Sequence, residues 1–116
     1  MARVTYPSWR LYAVDNGSRE KIAADVRALL PETVVIENGE NLGFTGGNNV
    51  GCRRALDDGA EFLLLLNNDT TVDPGFLDPL VRAMEPPDVG MVTPKIYFYG
   101  EDRVFWAHGA RVGRWT

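Results

Sequence analysis

The chain has 116 residues, 45% of them hydrophobic and 24% charged, with a formal net charge of −4. That balance excludes an intrinsically disordered or low-complexity chain, and the length allows one domain, short of the about 150 residues common for a complete α/β enzyme. The arginines are scattered among acids rather than gathered in a stripe, which excludes a dedicated nucleic-acid surface.

Leu11, Tyr12, Ala13 and Val14 form an apolar, β-prone stretch that ends in the turn residues Asp15-Asn16-Gly17-Ser18, so a strand followed by a turn is expected. Ser18 is read as the N-cap of a helix whose apolar face carries Ile22, Val26, Leu29 and Leu30, stopped by Pro31. Thr33, Val34, Val35 and Ile36 are β-branched and run into Glu37-Asn38-Gly39, which predicts a second strand. A glycine-rich loop follows, Asn41-Leu42-Gly43-Phe44-Thr45-Gly46-Gly47-Asn48-Asn49, leading into a helix through Val50, Arg53, Ala55 and Leu56 that closes at Gly59. Phe62, Leu63, Leu64, Leu65 and Leu66 are continuously apolar, as in a strand buried on both faces of a parallel sheet. That run stops at Asn67-Asn68-Asp69-Thr70.

Asp73-Pro74 is read as an N-cap with proline at the first helical position, with Asp78-Pro79 as a second start; the helix ends near Glu85. Beyond it, Gly90-Met91-Val92-Thr93 and Lys95-Ile96-Tyr97-Phe98 read as strand. Val104-Phe105-Trp106-Ala107 and Ala110-Arg111-Val112 read as hairpin arms around His108-Gly109. Alternating strands and helices predict an α/β fold, a mostly parallel sheet flanked by helices, with a C-terminal hairpin. The lone Cys52 fits a reducing, cytoplasmic setting, and no apolar run approaches the about 20 residues of a membrane span; peripheral contact at the inner face of a membrane is compatible with this.

Two strands thus end in an aspartate beside asparagines, Asp15-Asn16 and Asn67-Asn68-Asp69, and a parallel sheet sets both along the carboxyl edge where such folds bind ligands. A carboxylate there can hold Mg²⁺ or Mn²⁺ while a diphosphate supplies further oxygens. Taken singly, Asp-Asn-Gly-Ser is also an ordinary capped turn, and Asn-Asn-Asp an ordinary loop. The glycines at 43, 46 and 47 lack both the Gly-Lys-Ser/Thr ending of a P-loop and the spacing of a dinucleotide site; close backbone approach or a tight turn explains them better. Asn48 and Asn49 can donate to a base, ribose or phosphate, or serve as caps. His108 reads as a hairpin-tip residue, and Trp9, Trp106 and Trp115 as packing residues.

In order, Val14-Asp15-Asn16-Gly17-Ser18, the Asn41 to Asn49 loop, Leu65-Leu66-Asn67-Asn68-Asp69-Thr70 and Pro94-Lys95-Ile96-Tyr97 resemble family 2 of the inverting glycosyltransferases, in particular the rhamnosyltransferase-like branch, which acts in cell-wall polysaccharide biosynthesis. The resemblance covers nearly the whole chain and implies part of a GT-A, Rossmann-like fold. It also implies a UDP- or dTDP-sugar donor and a glycan or lipid-linked acceptor. It places Asp15 at the donor's pyrimidine and ribose. Asp69 takes the metal-binding end of a DxD-like motif whose first aspartate is replaced by Asn67. Asn16, Asn41, Gly43, Gly47, Asn48 and Asn68 complete the implied nucleotide-sugar site, with Asn48 standing where many relatives carry arginine.

Relatives also begin with a strand that lies between those ending at Asp15 and Asp69, and here only Met1 to Thr5 precede the matching segment. That strand is expected to be missing, which leaves sheet backbone unpaired. The family's general base lies beyond position 116, so no catalytic residue is assigned, and little transfer is expected from this chain alone. Two other readings remain: a non-catalytic module that forms homo-oligomers through exposed sheet edges, and a nucleotidyltransferase, which would carry a basic glycine-rich signature that is not present.

Overall fold

The computed structural model of the chain describes residues 3–20 and 22–107. Among them the order is β1 (Tyr12–Asp15), α1 (Ala23–Leu29), β2 (Val34–Glu37), α2 (Gly43–Asp57), α3 (Leu77–Ala83), β3 (Ile96–Phe98) and β4 (Glu101–Ala107). They fall into two compact units, Met1–Val72 and Asp73–Thr116.

In the first unit β1 and β2 pair in parallel, Tyr12 opposite Val34 and Asp15 opposite Glu37. The ladder extends one bond further at each end, through Val34 N–H to Leu11 O and Asn38 N–H to Asp15 O, both 2.9 Å. Helix α1 is shorter than its apolar spacing predicts. Ser18 does not cap it; the residue before the helix is Ile22, without a side-chain cap. The Ser18 amide instead donates to Asp15 Oδ1 at 2.8 Å, and Gly17 takes φ 84°, so the turn after β1 closes on itself before any helix begins. At the other end Leu30, held extended by the following Pro31, leaves the helix at φ −139°.

Helix α2 starts at Gly43, before the Asn48-Asn49 start that the sequence suggests, and the glycine-rich stretch lies inside it. Each interior glycine costs a helix about 1 kcal/mol relative to alanine, and packing explains why the cost is met. Gly47, Gly51 and Ala55 are the buried residues of α2, four apart and therefore on one face. A Cβ on Gly51 would lie 2.8 Å from Val14 Cγ2, and one on Gly47 would lie 2.9 Å from Asn16 Cγ. The missing side chains let α2 close directly onto β1.

The far end of α2 is fastened to the start of β1. Tyr12 donates its hydroxyl to Asp58 Oδ2 at 2.9 Å, and Arg54 Nε lies 3.2 Å from both Asp58 oxygens. Arg10 adds a longer ion pair at 3.9 Å. The Tyr12 hydroxyl first, and then the Arg54 guanidinium, hold the Asp58 carboxyl below its ordinary value.

Residues 62–66 do not form the expected buried strand. They carry no ladder among the described residues, and each is at least 39% exposed. The apolar pattern of a two-faced strand is present, but backbone becomes strand only when a neighbour takes its N–H and C=O groups, and among the described residues β1 and β2 pair only with each other.

The second unit also departs from expectation. Asp73 Oδ1 accepts the Gly75 amide at 2.8 Å, forming a local turn, and α3 begins at Leu77 after Phe76 as its uncapped N-terminal residue; neither Asp73 nor Asp78 caps it, and Asp78-Pro79 lie within its first turn. Residues 90–93 form no strand. The hairpin joins β3 to β4, with Tyr97 opposite Phe105 and their rings 4.9 Å apart. Gly100 at φ 79° makes the turn, and Glu101 opens β4. The turn expected at His108-Gly109 and the arm at Ala110, Arg111 and Val112 lie outside the described residues, as does Trp115. Among the described residues no helix is long and apolar enough to cross a membrane.

Candidate functional site

The carboxyl ends of β1 and β2 carry a dense polar cluster. Asp15, the last residue of β1, is 7% exposed, and its Oδ1 receives the Ser18 amide. The Ser18 amide above all, then the Ser18 hydroxyl, hold the Asp15 carboxyl below its ordinary 3.8; burial pushes the other way, and the Gly17 amide adds a lesser downward contribution. Asp15 is therefore an anion near neutrality, fixed at a strand end. A carboxylate has about four lone-pair positions, so the Ser18 bond leaves capacity for a hydroxyl or imide N–H of a ligand.

Asn16 is the centre of this rim. Its Oδ1 accepts the Asn38 side-chain amide at 3.0 Å and the Leu42 backbone amide at 3.1 Å. Its Nδ2 donates to Asn41 Oδ1 and to Gly43 O, both at 3.0 Å. Asn41 Oδ1 also receives the Gly43 amide at 2.8 Å. Gly47 packs against the Asn16 amide. Of the residues expected at the donor, Asn16, Asn41, Gly43 and Gly47 are thus brought into direct contact, beside Asp15. Asn48 lies one turn further along α2 and donates to Phe44 O at 2.9 Å; it is inside the helix, not at its start.

The second expected cluster is built differently. Asn67, Asn68 and Asp69 are exposed, with Asn68 and Asp69 in a turn. The Asn67 carbonyl accepts the Thr70 hydroxyl at 2.7 Å and, more weakly, its amide at 3.4 Å. Among the described residues nothing hydrogen-bonds to or pairs with the Asp69 carboxylate. Nor do the described residues hold any group of three histidine, cysteine, aspartate or glutamate side chains fit to cage a metal ion. The donor set therefore fits a hard cation shared between one carboxylate, water and a ligand's phosphates, the usual partial shell of Mg²⁺, and does not fit an ion held by protein alone.

Two contributors escape a reading of the sequence for ligand chemistry. Asn38 enters through its side chain, and its Asn-Gly pairing signals only a turn. Gly17 sits where the two loops meet: a Cβ there would lie 2.5 Å from the Glu40 carbonyl carbon and 2.6 Å from the Asn41 nitrogen. The Asp-Asn-Gly signal marks a turn, but not the backbone pressed against it.

The sequence profile of the family described as "Glycosyl transferase family 2" matches residues 1–116. An uncharacterized protein of Mycobacterium tuberculosis is 46% identical over 56 residues, 48% of this chain and 22% of its own length. An uncharacterized protein of Mycobacterium bovis matches with the same identity and coverage. The O-antigen biosynthesis protein RfbC of Myxococcus xanthus is 33% identical over 101 residues, 84% of this chain and 8% of its own length. The chain therefore spans less than a quarter of the length of these relatives. No solved structure matches it.

Proposed function

This chain belongs to glycosyl transferase family 2, and from that premise we propose that the Met1–Val72 unit is the donor-binding part of an inverting transferase using a UDP- or dTDP-sugar. The observation that carries the reading is the Asp15 rim: a buried, ionised carboxylate at the end of β1, with the β2–α2 loop tied against it through Asn16. In this reading Asp15 accepts from the pyrimidine and ribose. Asn41, Gly43 and Asn48 border the nucleoside. Asn67, Asn68 and Asp69 face the diphosphate.

Asp69 would hold Mg²⁺ or Mn²⁺ together with the diphosphate, and the cation would supply charge stabilisation for the departing phosphate oxygens. The chain's own contribution is to bind and orient the nucleotide; no residue is assigned as general base. The likeness to an O-antigen biosynthesis protein supports a glycan or lipid-linked acceptor, and with it a place at the cytoplasmic face of a membrane. The Asp73–Thr116 unit is read as belonging to the same incomplete domain, with the donor contacts made by Met1–Val72.

The test is binding of UDP and dTDP to the purified chain, with Mn²⁺ and with EDTA, for wild type and Asp69→Ala. Wild type is expected to bind in a metal-dependent way. Asp69→Ala should lose that dependence while unfolding at the same temperature, because an exposed, unpaired carboxylate contributes little to packing. Equal affinity in the variant would remove the metal assignment.

A second reading is favoured by one observation, the exposure of 62–66 without a strand partner among the described residues. A continuous apolar segment with free backbone groups pairs readily with another copy, so a homo-oligomer formed through this segment is proposed as the alternative. Solution mass that rises with concentration, with no nucleotide binding, would favour it.

A further inference from the structure

We infer that Asn16 is a positioning residue that locks the β2–α2 loop against Asp15, and does not itself touch the donor; the inference rests on the donor-site reading above. A side-chain amide offers two N–H donors and two carbonyl lone pairs, and all four of Asn16's are taken by the protein: by Asn38 and Leu42 on the oxygen, and by Asn41 and Gly43 on the nitrogen. The amide's orientation is not interchangeable, because one partner of each end is backbone. The Leu42 N–H can only donate, and the Gly43 carbonyl can only accept, so oxygen and nitrogen are each assigned.

The amide also has a dedicated socket. A Cβ on Gly47 would lie 2.9 Å from Asn16 Cγ and 3.0 Å from both Nδ2 and Oδ1, so the ring of loop contacts closes only with hydrogen at position 47. Every partner belongs to the segment between the end of β2 and the first turns of α2. Asn16 therefore converts two sequence-distant loops into one rim, and Asp15, one residue away, inherits that rigidity. Aspartate at 16 would keep the acceptors and lose both donors; glutamine would overreach; serine would keep part of the pattern.

The test is a double-mutant cycle of Asn16→Ala and Gly47→Ala, read by UDP and dTDP affinity, with Mn²⁺ present, and by the exchange rate of the Leu42 amide hydrogen. The nearest atoms that the new Cβ of Gly47→Ala would meet are those of the Asn16 amide, so in wild type it should weaken nucleotide binding by about tenfold, whereas in the Asn16→Ala background it should add almost nothing. Asn16→Ala alone should weaken binding by a similar factor and accelerate Leu42 exchange. Asn16→Ser, a gentler change, should fall between if the alanine variant folds poorly.

Additive losses would mean that position 47 acts independently of the Asn16 amide, and weakened binding in Asn16→Ala with unchanged Leu42 exchange would mean that Asn16 contacts the ligand directly; either would overturn the inference. So would a fall in melting temperature with unchanged affinity, since that is what a purely structural residue gives. Absence of binding in wild type would overturn the donor-site reading itself, and with it the positioning role. The two failures are thus separated by the wild-type control.

Discussion

The two aspartate-asparagine clusters look alike as sequence and differ as structure. Asp15-Asn16 ends a strand that has a parallel neighbour and a helix packed on it, and it sits in a network of directed hydrogen bonds. Asn67-Asn68-Asp69 follows an apolar run with no ladder partner among the described residues, and it ends in an exposed turn held by Thr70. A motif at a strand end is positioned only as well as its strand is paired. The first cluster can preorganise a ligand contact; the second has a chemically suitable carboxylate whose position is left to its local turn.

That contrast predicts very different sensitivities. The largest effect is expected at Gly17, where alanine meets both a positive φ and the Glu40–Asn41 backbone. Strain in the left-handed region and overpacking together should cost about 3 kcal/mol, read as a shift in the urea midpoint. A neutral Gly17→Ala would show that the two loops are not pressed together as described.

A smaller effect, and one that sharpens the comparison, is acid sensitivity. Because the folded-state pKa of Asp15 is depressed, the unfolded chain binds the proton first as pH falls. The stabilisation is present above 3.8 and is lost as pH drops through the folded value. Asp15→Asn should flatten the acid limb of the stability curve below about pH 4, leaving the part that Asp58 contributes in the same window. An unchanged limb would remove Asp15 as an ionised structural anchor.

The smallest effect is expected at the centre of the unpaired run. Leu64→Lys changes a residue that is 45% exposed, so the stability of the monomer should move by about 0.5 kcal/mol, as for other surface positions. Self-association, if it runs through this segment, should fall. A large loss of stability in Leu64→Lys would mean that the run is buried in the folded chain.

The same contrast explains what could be read from residues alone. The positions of β1 and β2 were legible within a residue, because β-branched and apolar runs stopped by polar turns have few other solutions. The start of α2 was not, because Gly46 and Gly47 signal a loop locally and become helical only through their packing on Leu42 and Asn16. Residues 62–66 carried the apolar pattern of a buried strand, and that expectation failed: among the described residues no neighbour takes their backbone groups, and all five side chains are exposed. At the site, Asp15 stood out as a strand-end carboxylate. The Asn16 network did not, since its partners lie 22 to 27 residues away and no local rule pairs them.

The most direct measurement is amide chemical-shift mapping of UDP and dTDP on the isotope-labelled chain, in the presence of Mg²⁺. The account predicts shifts at Gly17, Ser18, Leu42 and Gly43, around Asp15, with the opposite end of the sheet at Arg10, Leu30 and Asp58 unmoved. Shifts concentrated at that opposite end, with the Asp15 rim silent, would contradict it.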